Sequence, residues 1–116
     1  MVYLLTAWVK HPQYKTVAWI NALTSDMVFT QPVVYEFEKI SAPTLLIIGT
    51  RDRTAIGKQN VPETVRASLG QYGQLGRATQ QKIAGAELVE LNDLGHIPHI
   101  EAFDRFIEPL IRFLKK

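Results

Sequence analysis

Pro43-Thr44-Leu45-Leu46-Ile47-Ile48-Gly49 is an apolar run closed by glycine, and its reading decides the fold. It is too short for a helix and shows no alternation of apolar and polar residues. A run of this kind fits a strand covered on both faces, as in parallel sheets flanked by helices. Thr50-Arg51-Asp52-Arg53-Thr54 follows at once as a polar loop. Residues 62–69 and 75–83 carry helical patterns, and Gly70, Gly73 and Gly76 are expected to interrupt them. Ala86-Glu87-Leu88-Val89-Glu90-Leu91 reads as a second strand, with an alternation that suggests a sheet edge. Asn92-Asp93-Leu94-Gly95-His96 is the next loop. Ile100, Phe103, Phe106, Ile107, Leu110, Ile111 and Leu114 then form an amphipathic stripe, and Pro109 inside it is expected to kink or break the helix. Strand, loop, helix, strand, loop, helix is a βαβα pattern, which predicts an α/β fold with parallel strands and a right-handed crossover.

Upstream of this run the pattern is helical. Val2 to Val9 is apolar without strand-like alternation and predicts a short helix. From Gln13, the positions Val17, Ile20, Leu23, Met27 and Val28 recur at helical spacing, after Pro12 in a first-turn position. Thr30-Gln31-Pro32 should end that helix, because a residue before proline avoids the helical region. A short helical piece over Val33 to Lys39 follows. Trp8, Trp19, Phe29 and Tyr35 read as core packing. The chain thus divides into a helical segment, residues 1–40, and an α/β subdomain, residues 41–116, forming one compact unit or exchanged between chains.

The 116 residues are 47% hydrophobic and 21% charged, a globular rather than disordered composition. The net charge of +2 is weak support for nucleic-acid binding, and none is expected. No apolar run approaches the roughly 18 residues of a membrane span, so no membrane association is expected. The absence of cysteine excludes disulfides, a thiol nucleophile and Cys-ligated metal. It fits a cytoplasmic protein, as does an N-terminus without the features of a signal peptide.

In parallel sheets, ligands bind beyond the carboxyl ends of the strands. Asp52 lies three residues past Gly49, and His96 lies five past Leu91. Singly, a loop aspartate more often caps a helix and a loop histidine is more often merely solvated. Together, on one functional edge, they form the acid–base half of a nucleophilic triad: the carboxylate fixes the imidazole tautomer and stabilises the imidazolium.

Residues 43–52 resemble the late strand and acid turn of the α/β-hydrolase fold. Leu94-Gly95-His96-Ile97-Pro98-His99-Ile100-Glu101 resembles that family's histidine loop, and Phe103, Phe106 and Leu110 match its final helix. The resemblance spans residues 32–116, with residues 1–31 less specifically similar to a cap. It implies a partial α/β-hydrolase fold with Asp52 as catalytic acid and His96 as catalytic base. The family's G-x-S-x-G nucleophile elbow is absent, and Ser25, Ser41 and Ser68 stand in no such frame. Its upstream H-G oxyanion motif is absent as well. The resemblance therefore implies a truncated or minimal hydrolase of ester-type ancestry, with weak or no hydrolysis of a small ester by the chain alone. An engineered excerpt, a truncated reading frame and a natural short protein all remain open. The alternative is a non-catalytic module that self-associates or complements a partner.

No cofactor is expected. His96 and His99, with Glu101 or Asp52, form a minority candidate for a metal site. Arg51 or Arg53 is placed to pair with Asp52. Gly70, Gly73 and Gly76 follow no strand and make a weak phosphate loop. Without an earlier strand beside it, the 44–49 edge would be an open template. A homodimer or larger assembly is expected, joined through that edge or by exchange of the 1–40 helices.

Overall fold

The computed structural model describes residues 9–116. The expected helix at Val2–Val9, apart from Val9, and the expected packing of Trp8 lie outside that range. The chain divides into two compact units, Met1–Val34 and Tyr35–Lys116.

In the first unit, α1 (Tyr14–Thr30) is the helix expected from the apolar spacing. It stops at Gln31, whose N–H donates to the Met27 carbonyl at 2.8 Å and which stands just before Pro32. The hydroxyls of Thr24, Ser25 and Thr30 donate to the carbonyls four residues earlier, at 2.9, 2.9 and 2.8 Å. This is how such residues are accommodated inside a helix. No residue of α1 is buried. Trp19 and Phe29 are exposed, as is Tyr35 in the chain that follows, so the reading of these aromatics as core is corrected. Helical period alone does not supply a surface to pack against. The piece at Val33–Lys39 forms as a 3-10 helix.

In the second unit, β1 (Leu45–Gly49) and β2 (Glu87–Leu91) form a two-stranded parallel sheet. The register runs from Leu45 opposite Glu87 to Gly49 opposite Leu91, so the carboxyl ends of the strands are level. The crossover contains a 3-10 turn at Lys58–Asn60, then α2 (Glu63–Arg66) and α3 (Tyr72–Lys82). After β2 come α4 (Pro98–Glu101) and α5 (Phe103–Leu114).

Gly76 brings α3 against the sheet: a Cβ there would lie 3.0 Å from Ile48 and 3.5 Å from Leu88. On the same side, Arg77 holds Glu90 through two bonds of 3.1 and 3.0 Å. Glu87 faces the opposite way by strand alternation. It pairs with Lys116, just past α5, and α5 also packs on both strands. The sheet therefore has a helix on each face, the arrangement of an α/β fold. The buried apolar residues Ile83, Leu91 and Leu94 lie where α3 meets β2 and where β2 enters its loop.

Several local expectations change. Leu45 to Ile48 are half-buried rather than fully covered, because a strand with one ladder partner keeps an open edge. Gly73 and Gly76 lie inside α3, and only Gly70, at φ 69°, interrupts the crossover helices. Pro109 is buried within a continuous α5 and does not break it. The break falls at Ala102, where φ −153° and ψ 73° separate α4 from α5. Ile100, Phe103, Ile111 and Leu114 are exposed, while Phe106, Ile107 and Leu110 are half-buried.

Candidate functional site

Both loops of interest leave the same end of the sheet. Thr50 N–H donates to the Leu91 carbonyl at 3.1 Å, extending the pairing past the strands. Arg51 N–H donates to the Leu94 carbonyl at 2.9 Å, which ties the acid turn to the histidine loop. The Thr50 hydroxyl accepts from Asp93 N–H at 3.2 Å. Asp93 adopts φ 62°, a left-handed conformation that aspartate tolerates in turns. Gly95 N–H donates to Glu101 Oε2 at 2.9 Å, and Arg51 reaches that same oxygen at 3.4 Å. A carboxylate on α4 thus holds the loop that carries His96.

This scaffold brings Asp52 and His96 together. His96 Nδ1 lies 2.8 Å from Asp52 Oδ2. The Asp52 side chain is 7% exposed, whereas that of His96 is 57% exposed. The second carboxylate oxygen, Oδ1, accepts from Thr54 N–H at 2.8 Å and from the Thr54 hydroxyl at 2.7 Å. Burial pushes the Asp52 carboxyl up, but the Thr54 backbone and hydroxyl bonds and the nearby His96 outweigh it. They hold the group below its ordinary value. An ionised carboxylate only accepts, so the bond to Oδ2 places the imidazole proton on Nδ1 and leaves Nε2 as the basic nitrogen.

A cleft of about 460 Å³ opens beside His96. Ala55, Ile56 and Tyr72 line it, with Arg53, Lys58 and Thr54. The Tyr72 ring meets the imidazole edge-on, with centroids 6.3 Å apart. Lys58 Nζ bridges the Arg53 and Leu69 carbonyls at 2.9 and 3.3 Å, fixing one wall. The arrangement supplies a buried acid, an oriented and accessible base, and a largely apolar space beside them.

Other expected partners separate. Neither flanking arginine reaches the Asp52 carboxylate. Arg53 donates to the carbonyls of Thr50 and Asp52 at 3.0 and 2.6 Å, and Arg51 turns to Glu101. His99 packs against Phe106, with centroids 5.7 Å apart, and Glu101 is engaged with Gly95 and Arg51. Among the described residues no three His, Cys, Asp or Glu side chains converge as a metal site, which corrects the metal reading of His96 and His99. The glycines of the weak phosphate-loop reading are divided between a turn and the body of α3. Thr54 is the site residue that the sequence reading passed over. The signal for it was local: in Asp52-Arg53-Thr54 an aspartate can accept from the backbone two residues on.

The structure is similar to the crystal structure of a probable hydrolytic enzyme from Pseudomonas aeruginosa PAO1, with a TM-score of 0.87 and 48% sequence identity. The match covers 92% of this chain and 34% of that one, so the chain spans about a third of that protein's length. No family model matches the chain. No curated protein matches it either.

Proposed function

We propose that this chain carries the acid–base half of an ester-type hydrolase of the α/β-hydrolase kind. Asp52 orients His96, and Nε2 of His96 takes the proton from a nucleophile. The observation that carries the reading is the 2.8 Å bond between His96 Nδ1 and Asp52 Oδ2, beside an apolar cleft. Similarity to a probable hydrolytic enzyme supports it. No serine of this sequence sits in a G-x-S-x-G elbow. The nucleophile available to His96 within the chain is therefore water, and the ligand a small ester. General-base assistance is worth about 10²–10⁴-fold, well short of a complete triad with its oxyanion donors.

A chromogenic-ester assay on the chain and on His96→Ala tests this. Slow hydrolysis that disappears in His96→Ala is expected. Hydrolysis unchanged by His96→Ala overturns the reading. Turnover of roughly 1–10³ per second, lost in the variant, would overturn the water-only part and require another nucleophile.

A second reading is favoured by the open edge of β1, which has no ladder partner besides β2 among the described residues. In it the chain is a non-catalytic module that associates with a second copy, through the 44–49 edge or by exchange of the 1–40 helices.

A further inference from the structure

Asp52, Thr54 and His96 close a ring of hydrogen bonds, and the proton count of that ring assigns a task to its middle member. We propose that Thr54 is a positioning residue whose hydroxyl, held by Asp52 Oδ1, turns its lone pair to His96 Nδ1 and locks the imidazole in the Nδ1–H tautomer. The use of that tautomer in catalysis rests on the proposed role of His96 as base, whereas the lock itself rests on geometry.

The hydroxyl has one proton to give. Asp52 Oδ1 stands 2.7 Å from it and His96 Nδ1 stands 2.8 Å from it. Asp52 Oδ2, at 2.8 Å from Nδ1, has no proton to offer and so calls for one on Nδ1; that leaves Oδ1 as the acceptor for the hydroxyl proton. Thr54 Oγ1 then faces Nδ1 as an acceptor, next to Asp52 Oδ2 at 2.8 Å from the same nitrogen. An unprotonated Nδ1 would set its lone pair against Oδ2 at 2.8 Å, and the hydroxyl could bond it only by leaving Oδ1. A protonated Nδ1 is shared between two acceptors and satisfies both.

The hydroxyl is itself well placed. Thr54 N–H donates to Oδ1 at 2.8 Å, so the main chain of the residue pins the carboxylate that its side chain also binds. A β-branched side chain has few χ1 choices, which keeps the hydroxyl in the ring. His96 is more than half exposed, at 57%, and without this cradle its ring has little packing to choose a tautomer for it. The hydroxyl proton is directed at a buried carboxylate and the oxygen lies on the Nδ1 side. As a nucleophile Thr54 would be on the wrong side of the ring from Nε2.

The test is long-range ¹H–¹⁵N correlation of the imidazole rings in the full chain, above the pH at which histidine is neutral. His96 is assigned by its loss in His96→Gln. The wild type is expected to show a protonated Nδ1 and an unprotonated Nε2. In Thr54→Val, with the backbone N–H kept, Nδ1–H retains Asp52 Oδ2 but loses its second acceptor, so the two nitrogen resonances should move toward each other, and Thr54→Ser should restore the wild-type pattern. Where ester hydrolysis is measurable, Thr54→Val should lower kcat by about tenfold, the scale of one hydrogen bond, with KM little changed. A wild-type ring protonated at Nε2 overturns the proposal without any variant, and so does a Thr54→Val or Thr54→Ala ring that keeps the wild-type pattern. The outcomes separate from those for the proposed function. Hydrolysis independent of His96 leaves a locked tautomer standing, and His96-dependent hydrolysis with an unchanged Thr54→Val ring removes only the role of Thr54.

Discussion

Gly49 and Gly95 meet backbone to backbone. A methyl group on Gly49 would run into the Gly95 carbonyl oxygen and stand 2.5 Å from that of Leu94. The last residue of β1 therefore has to lack a side chain for the histidine loop to lie across it, and this approach lets Arg51 N–H reach the Leu94 carbonyl.

Gly49→Ala is the first prediction. The obstruction is main chain, which has no flexible end to move aside. Overpacking of this kind costs about 1–3 kcal/mol or more. Urea unfolding should show the lower midpoint, and the imidazole signals of His96 should shift. A midpoint and His96 spectrum equal to wild type would mean that the two loops are not in contact.

Gly73→Ala should act in the opposite direction. Gly73 lies in α3, and its added Cβ would meet only Glu90 Oε1, at 4.0 Å. Gly73 is the second residue of α3, where the preference for alanine over glycine is smaller than the about 0.5–1 kcal/mol of a helix interior but has the same sign. A higher thermal midpoint is expected. A lower one would contradict the placement of Gly73 in a regular helix.

Acid should weaken the second unit through Asp52. Its carboxyl titrates below its ordinary value in the folded chain: burial raises it, and the Thr54 bonds and His96 more than offset that. Between the folded and unfolded values the unfolded chain holds more protons, so stability rises with pH across that window. The contribution is complete above the ordinary carboxylate range, near pH 4, and is lost as pH falls through the folded value. Asp52→Asn has no such proton to bind. Its urea midpoint should lie below wild type at pH 6, and the gap should narrow as pH falls from about 5 to 2. Parallel curves would mean that the native environment does not favour the Asp52 carboxylate.

Self-association can be weighed directly. Light scattering at micromolar concentration should give a mass above the 13.1 kDa of one chain. A monodisperse monomer would remove the second-copy reading and leave the hydrolase reading untouched.

What the sequence discloses follows from range. β1 was legible from its continuous apolar run and β2 from its alternation, and the positions of Asp52 and His96 follow from strand ends alone. The bond of Thr54 to Asp52 is local and readable, but its bond to His96 was hidden because it spans 42 residues and depends on how two loops fold over each other. Pro109 was misread because proline is judged by the bond it cannot donate, while the packing that keeps α5 continuous around it is tertiary. Trp19 and Phe29 were misread for the reverse reason: an apolar face is written in the sequence, but whether anything covers it is not.

The parallel register has a kinetic consequence. Antiparallel strands can pair across a short turn, but β1 meets β2 only after the crossover containing α2 and α3 has been laid down. Asp52 and His96 lie 44 positions apart, and nothing local draws them together. Loop closure on that scale comes before any contact that rewards it, and non-local pairing of this kind is slow. The carboxylate–imidazole bond thus depends on closure of the whole crossover, and the tautomer of one histidine reports whether β1 and β2 have come together.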